Sequence, residues 1–326
     1  MRFAVVGAGA IGGWLAARLA LAGEEVGVVA RGATLERLSR DGIELRSGGR
    51  TQRASVRAGA SASDLGPQDV VLITVKAPAL PALAPALRPL VSADTLVLNA
   101  GNGLPWWYFL PSGQPCSGLR LRSVDPHGAV EAAFPLAQVL GLSVFASCHC
   151  PAPGVVQHSS GGRLLLGEPA GGPSERVDRL ALRLQAAGLD AQPSADIRRD
   201  TWIKLLGNAC FNPVSLLTGA PSDEMIDDPH LHELFVRMMD EVIGIGGRLG
   251  LRLQVDPRQR IAQTRALGHI KTSMLQDLEA GRAVELDAIL GTLLECAVAV
   301  AMPVPTLASI LALARMRARH AGLPVS

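Results

Sequence analysis

Hydrophobic and polar positions change rhythm along this chain, and the changes predict its elements. "MRFAVVGAGAIGGWLAARLALAGEEVGVVARG" begins with an apolar run from Arg2 to Val6, turns through glycines, and continues as an alanine- and leucine-rich stretch ending near Gly23. A second apolar run, Val26 to Ala30, completes a predicted β-α-β unit, which favours a parallel sheet. Val70–Val75 and Thr95–Leu98 are predicted as further strands of that sheet. Ile43–Arg46 and Gln52–Val56 alternate around Gly48 and Gly49 and predict a small hairpin insertion. Val139 to Glu168 holds two or three more strands, and a helix runs from Ser174, a plausible N-cap, to Gly188, a plausible C-cap.

After Asp196 the period becomes helical and no strand is predicted. Asp228-Pro229 and Asp256-Pro257 read as caps followed by first-turn prolines, and Gly250 reads as a helix stop. The expected organisation is an α/β Rossmann-type domain over residues 1–195 and an all-α domain over 196–326.

Composition narrows the function classes. With 48% hydrophobic and 18% charged residues, the 326-residue chain suits a well-cored two-domain protein. Its 31 basic and 29 acidic residues are intermixed at a net charge of +2, which excludes the basic stripe of a nucleic-acid binder. Thr95–Leu119 and Cys296–Ala314 lack charge but are broken by Pro105, Pro111, Pro303 and Pro305, so no membrane span is expected. An Arg2-led apolar run ending in Ala20-Leu21-Ala22 mimics a secretory signal, but Arg18 interrupts it, and the expected location is cytoplasmic. Five cysteines, an odd number in a large chain, predict reduced thiols. Cys148-His149-Cys150 is spaced too tightly for the usual zinc clip and reads as a packed strand end, so no metal is expected.

Gly7-Ala8-Gly9-Ala10-Ile11-Gly12 is a GxGxxG run between a strand and a helix. The first glycine permits the tight turn, the second lets backbone approach a pyrophosphate, and the third allows close helix packing. The amides of Gly9, Ala10, Ile11 and Gly12 open a helix whose positive end suits that anion. At the end of the second strand an acidic residue would hold the ribose hydroxyls of NAD. Arg31 stands there instead and favours the 2′-phosphate of NADPH, with a solvated surface arginine as the competing reading. Lys76 and Asn102 follow later strands at the carboxyl edge, where such sheets bind ligands; a surface lysine and a turn asparagine compete with that reading.

"DTWIKLLGNACFNPVSLLTG" carries Lys204, Asn208 and Asn212 at four-residue steps among Trp202, Leu205, Leu206 and Phe211. Each step rotates about 40°, so the three form one slanted row that either lines a polar pocket or faces water. A carbonyl reductase must donate a proton as hydride arrives, and a lysine ammonium can do so. Lys204 is the only lysine between Lys76 and Lys271, and Ser273 and Glu285 add polar groups amid later apolar helical sequence.

Taken in order, GAGAIG, VKA at 75–77, NG at 102–103, WxKLxxNxxxNP at 202–213, SMLQD from Ser273 and ELD at 285–287 resemble the ketopantoate reductase (2-dehydropantoate 2-reductase) family over nearly the whole chain. The resemblance implies NADPH-dependent reduction of 2-dehydropantoate on the route to pantothenate and coenzyme A. It implies Lys204 as general acid, Glu285 supporting substrate and lysine, and Asn208, Asn212 and Ser273 holding substrate. Asn102 would touch substrate and nicotinamide, Lys76 would help hold cofactor, and the α-helical row would face an interdomain cleft. A 2-oxo acid is the implied partner, and a homodimer stays open. Reduction of another 2-oxo acid and a non-catalytic NADPH-binding regulator are the alternatives. One departure is the long segment after Gly103, with Trp106, Trp107 and Tyr108, which either plugs the domain or touches substrate.

Overall fold

The computed structural model describes residues 1–323. The chain forms two compact units. One comprises Met1–Val75, Ala79–Gly101 and His127–Asp200; the other comprises Lys76–Pro78, Asn102–Pro126 and the chain from Thr201 onward.

The first unit is built on a mixed sheet of ten strands. They are β1 (Arg2–Val6), β2 (Glu25–Val29), β3 (Ile43–Ser47), β4 (Arg50–Ala54), β5 (Arg57–Gly59), β6 (Val70–Ile73), β7 (Leu96–Asn99), β8 (Val139–Ala152), β9 (Val155–Gly167) and β10 (Asp190–Pro193). The order is β4-β3-β9-β8-β7-β6-β1-β2-β5, with β10 added along β9. β7, β6, β1, β2 and β5 run parallel, whereas β3 with β4 and β8 with β9 are antiparallel.

Four of the five residues in β1 and in β2, and all four in β6, are buried, which is why these strands read as unbroken apolar runs rather than alternating ones. Helix α1 (Ala10–Leu21) covers them, and Trp14, Leu15 and Leu19 pack with Phe3, Val5, Leu72 and Leu98 in the core. The remaining helices of this unit are α2 (Gly32–Asp41), α3 (Leu80–Leu83), α4 (Ala129–Ala133) and α5 (Glu175–Ala186). Ser174 caps α5 by accepting from the Val177 N–H at 3.4 Å. The hairpin around Gly48 and Gly49 is no isolated insertion, because β3 also pairs in parallel with β9 from Glu44 to Ser47.

The second unit is helical among the described residues. Its helices are α6 (Ile197–Thr218, from Thr201 onward), α7 (Ser222–Asp227), α8 (Pro229–Arg248), α9 (Pro257–Arg265), α10 (Ser273–Glu279), α11 (Thr292–Ala299) and α12 (Pro305–His320). A π-turn, Asp287–Gly291, precedes α11. Asp228 and Asp256 cap α8 and α9, each ahead of a first-turn proline. Trp202 is fully buried on α6 and donates its indole N–H to the Val242 carbonyl at 3.2 Å, while the Phe211 ring lies 4.8 Å from that of Phe235. Trp106, Trp107, Tyr108 and Phe109 are all buried, and Tyr108 sits 6.0 Å from Trp202. The aromatic segment therefore packs the helical unit.

All five cysteines carry free thiols, and burial pushes that of Cys148 up to about 12. Among the described residues no helix is long and apolar enough to cross a membrane, and no group of three metal-ligating side chains is gathered.

Candidate active site

The glycine turn after β1 separates what the fold needs from what a ligand needs. Gly7 has φ +96° and donates to the Val29 carbonyl at 3.1 Å, so the turn itself requires a residue at ease in the left-handed region. A Cβ at Gly12 would stand 2.0 Å from the Gly7 carbonyl oxygen and 2.2 Å from Thr74 Oγ1, so that glycine is required by packing. Thr74 in turn donates its hydroxyl to the Gly7 carbonyl at 2.6 Å.

Gly9 is different, because a Cβ there would meet nothing within 4 Å. Neither its backbone nor a neighbour accounts for the glycine, and the open space lies at the N-cap of α1. No side chain caps that helix and no acidic residue occupies its first turn. The residues present fit a dinucleotide pyrophosphate, which would accept from the Ala10 and Ile11 end of the helix. Arg31 is exposed at the N-cap of α2, just beyond β2, and among the described residues no carboxylate pairs with it. It is available to a 2′-phosphate.

A second set of groups converges within the helical unit. The Glu285 carboxylate, 8% exposed, accepts from the Ala77 backbone N–H at 3.1 Å and from the Asn102 side-chain amide at 3.1 Å. Asn208 on α6 donates to Asn102 Oδ1 at 3.4 Å. Lys76 Nζ meets Asp277 Oδ2 at 2.6 Å and donates to the Ala283 carbonyl at 2.6 Å, which leaves one of its three N–H groups for another acceptor. Gly103, at φ +86°, lies so close to the π-turn that a Cβ would be 1.9 Å from the Ala288 oxygen. The next amide, Leu104 N–H, donates to that same oxygen at 3.1 Å. The Asn102-Gly103 turn is thereby pinned beside Glu285.

Burial and charge shape the two titrating groups. Desolvation of the half-buried Lys204 lowers its ammonium pKa to about 8, while the nearby Glu285 carboxylate pulls it back up. Glu285 is raised above the usual carboxylate range, first by burial, with the Ala77 and Asn102 hydrogen bonds and the Lys76 charge opposing. Asn212, one step further along the same row, is 6% exposed, and its amide makes no hydrogen bond to the described residues, yet its polar atoms are not sealed away and can meet a ligand or water. The assembly offers a polar ligand side-chain amides, a fixed carboxylate and an amine whose pKa is brought down to about 8.

Comparison with known proteins fixes the family. Residues 3–108 match the family model described as ketopantoate reductase PanE/ApbA, and residues 196–318 match its C-terminal model. The chain belongs to the ketopantoate reductase family. It is 42% identical over 323 residues to a 2-dehydropantoate 2-reductase of Mesorhizobium japonicum, covering 99% of each chain. A Ralstonia solanacearum structure named provisionally as a ketopantoate reductase superposes with a TM-score of 0.95 at 45% identity, covering 99% of each chain. The 2-dehydropantoate 2-reductase of Geobacter metallireducens follows at a TM-score of 0.86 and 27% identity, covering 97% of this chain and 99% of that one. Ketopantoate reductases are oxidoreductases that use NADPH, and the fold is the family's: a Rossmann-like sheet unit and a helical C-terminal unit.

Of the residues expected in the ketopantoate reductase site, Lys76, Asn102, Lys204, Asn208 and Glu285 come together in one network. Asn212 continues the row of Lys204 and Asn208. Ser273 is exposed at the start of α10, where Thr272 rather than Ser273 supplies the cap, and it has no hydrogen bond to the network among the described residues. Sequence reasoning missed Asp277, although it stands in the quoted SMLQD, because its partner Lys76 lies two hundred residues earlier. It also missed the Ala77 amide, since a backbone donor carries no side-chain signature.

Proposed function

We propose that this chain reduces 2-dehydropantoate to pantoate in the cytoplasm, with Lys204 as the general acid. The observation that carries this reading is the half-buried Lys204 ammonium beside a fixed Glu285 carboxylate, its pKa brought down to about 8. NADPH, when bound, supplies the hydride. At neutral pH Lys204 remains mainly protonated yet acidic enough to give up its proton to the oxygen on which negative charge develops. Glu285, held from two directions, keeps the charged lysine oriented, and Asn102, Asn208 and Asn212 offer amides to the hydroxyl and carbonyl groups of the substrate. Gly9 and the open start of α1 would carry the pyrophosphate, Arg31 the 2′-phosphate, and the remaining Lys76 N–H a further cofactor oxygen. Ser273, exposed, is assigned to substrate by the family resemblance alone.

The test is turnover by purified protein, followed as loss of NADPH absorbance, with 2-dehydropantoate alongside other 2-oxo acids. The reading predicts the highest kcat/KM for 2-dehydropantoate. A higher value for a different 2-oxo acid would reassign the substrate, and NADPH binding without any turnover would make the chain a regulator.

A further inference from the structure

Gly207 stands in the middle of α6, between Lys204 and Asn208, where glycine is a poor helix former. The reason for it lies on α9. A Cβ at residue 207 would stand 2.9 Å from Nη2 and 3.7 Å from Cζ of Arg260. The absent side chain makes a seat for a guanidinium. That group is half-buried, and among the described residues its one hydrogen bond to a side chain goes from Nη1 to the Thr264 hydroxyl at 3.1 Å.

No carboxylate among the described residues pairs with Arg260. Cys210, whose thiol lies within electrostatic reach of both Arg260 and Glu241, is neutral, since burial pushes its pKa up. Glu241 commits one oxygen to the Thr306 N–H and the other to the Leu307 N–H, each at 2.9 Å. Arg265, five residues further on, shows the ordinary alternative, two bonds to Asp227 at 2.7 and 2.8 Å near solvent. Burial lowers the pKa of Arg260 below the usual arginine value, with the neighbouring Cys210 opposing. A half-buried guanidinium without a counter-ion, with nitrogens still open to solvent, is a ready partner for an anionic ligand.

We propose that Arg260 binds the carboxylate of the 2-oxo acid substrate, beside the proton donor Lys204. The planar guanidinium matches a carboxylate in a two-pronged pair, which an ammonium cannot do. Residues 204 and 207 are about 4.5 Å apart along the helix axis and about 60° apart around it, so the seat of Arg260 adjoins the position of Lys204 on α6. The inference rests on the reading above that the substrate is a 2-oxo acid, and it adds a charged determinant to amides that tolerate neutral ketones.

The experiment uses oxamate, an unreactive 2-oxo acid analogue, titrated by calorimetry into the NADPH-loaded wild type and into Arg260→Met, Arg260→Lys and Arg265→Met. The expected result is affinity at least tenfold weaker in Arg260→Met, an intermediate loss in Arg260→Lys, and none in Arg265→Met. Arg260→Met should melt at or above the wild-type temperature, because it removes an uncompensated charge. Absent oxamate binding by the wild type, equal binding by Arg260→Met, or a lowered melting temperature accompanying its loss would overturn the proposal. A wild type that binds oxamate through Arg260 yet reduces no 2-oxo acid would instead refute the reductase reading and leave the carboxylate site standing.

Discussion

The Asn102 amide donates to one oxygen of the Glu285 carboxylate at 3.1 Å, and the Ala77 backbone amide donates to the other at the same distance. Two N–H donors from distant parts of the chain thus fix a buried carboxylate whose charge acts on Lys204. Orientation and electrostatics are carried by the same group.

Replacing Glu285 by Gln therefore has two consequences. The glutamine presents one amide nitrogen toward N–H donors and loses a charge-assisted bond, so kcat should fall by roughly 10²-fold. The charge that holds the lysine pKa up is also gone. In the wild type, turnover should decline as pH rises through about 8, where Lys204 loses its proton. In Glu285→Gln that basic limb should move to lower pH, and a pH profile of kcat checks the direction.

Two glycines of the turn should respond in opposite ways. The Cβ of Gly9→Val would meet no protein atom within 4 Å, so the fold should persist while NADPH binding is abolished. Gly12→Val places a Cβ about where the Gly7 carbonyl and Thr74 hydroxyl already stand, and should destabilise the sheet unit by several kcal/mol, on the scale of overpacking or more. Thermal melting and calorimetric titration with NADPH separate the two outcomes.

Arg31→Ala should weaken NADPH binding by roughly 1.5–3 kcal/mol, the range for hydrogen bonds to charged groups, and leave NADH affinity nearly unchanged. Calorimetry with both cofactors is the check. Equal losses would assign Arg31 to the fold instead of the 2′-phosphate.

The cofactor turn and the Lys204 row were legible because both are local. Glycine spacing after an apolar run marks the turn, and a four-residue step marks the helix face. What escaped depends on distance along the chain. β5 and β10 are three and four residues long, too short to show a period, and they become strands by pairing with β2 and β9. The π-turn at Asp287–Gly291 has no composition signal, yet it offers the Ala288 carbonyl that fixes Gly103 and Leu104. The Lys76–Asp277 ion pair and the seating of Arg260 over Gly207 join residues whose partners no pattern could name.

Lys204→Ala tests the central claim most directly. Measured with saturating NADPH and 2-dehydropantoate, kcat should fall by about 10²–10⁴-fold, the usual contribution of a positioned general acid, with NADPH affinity unchanged. Near wild-type kcat in Lys204→Ala, with every 2-oxo acid that the parent reduces, would contradict the account and leave the row of Lys204, Asn208 and Asn212 without its proton donor.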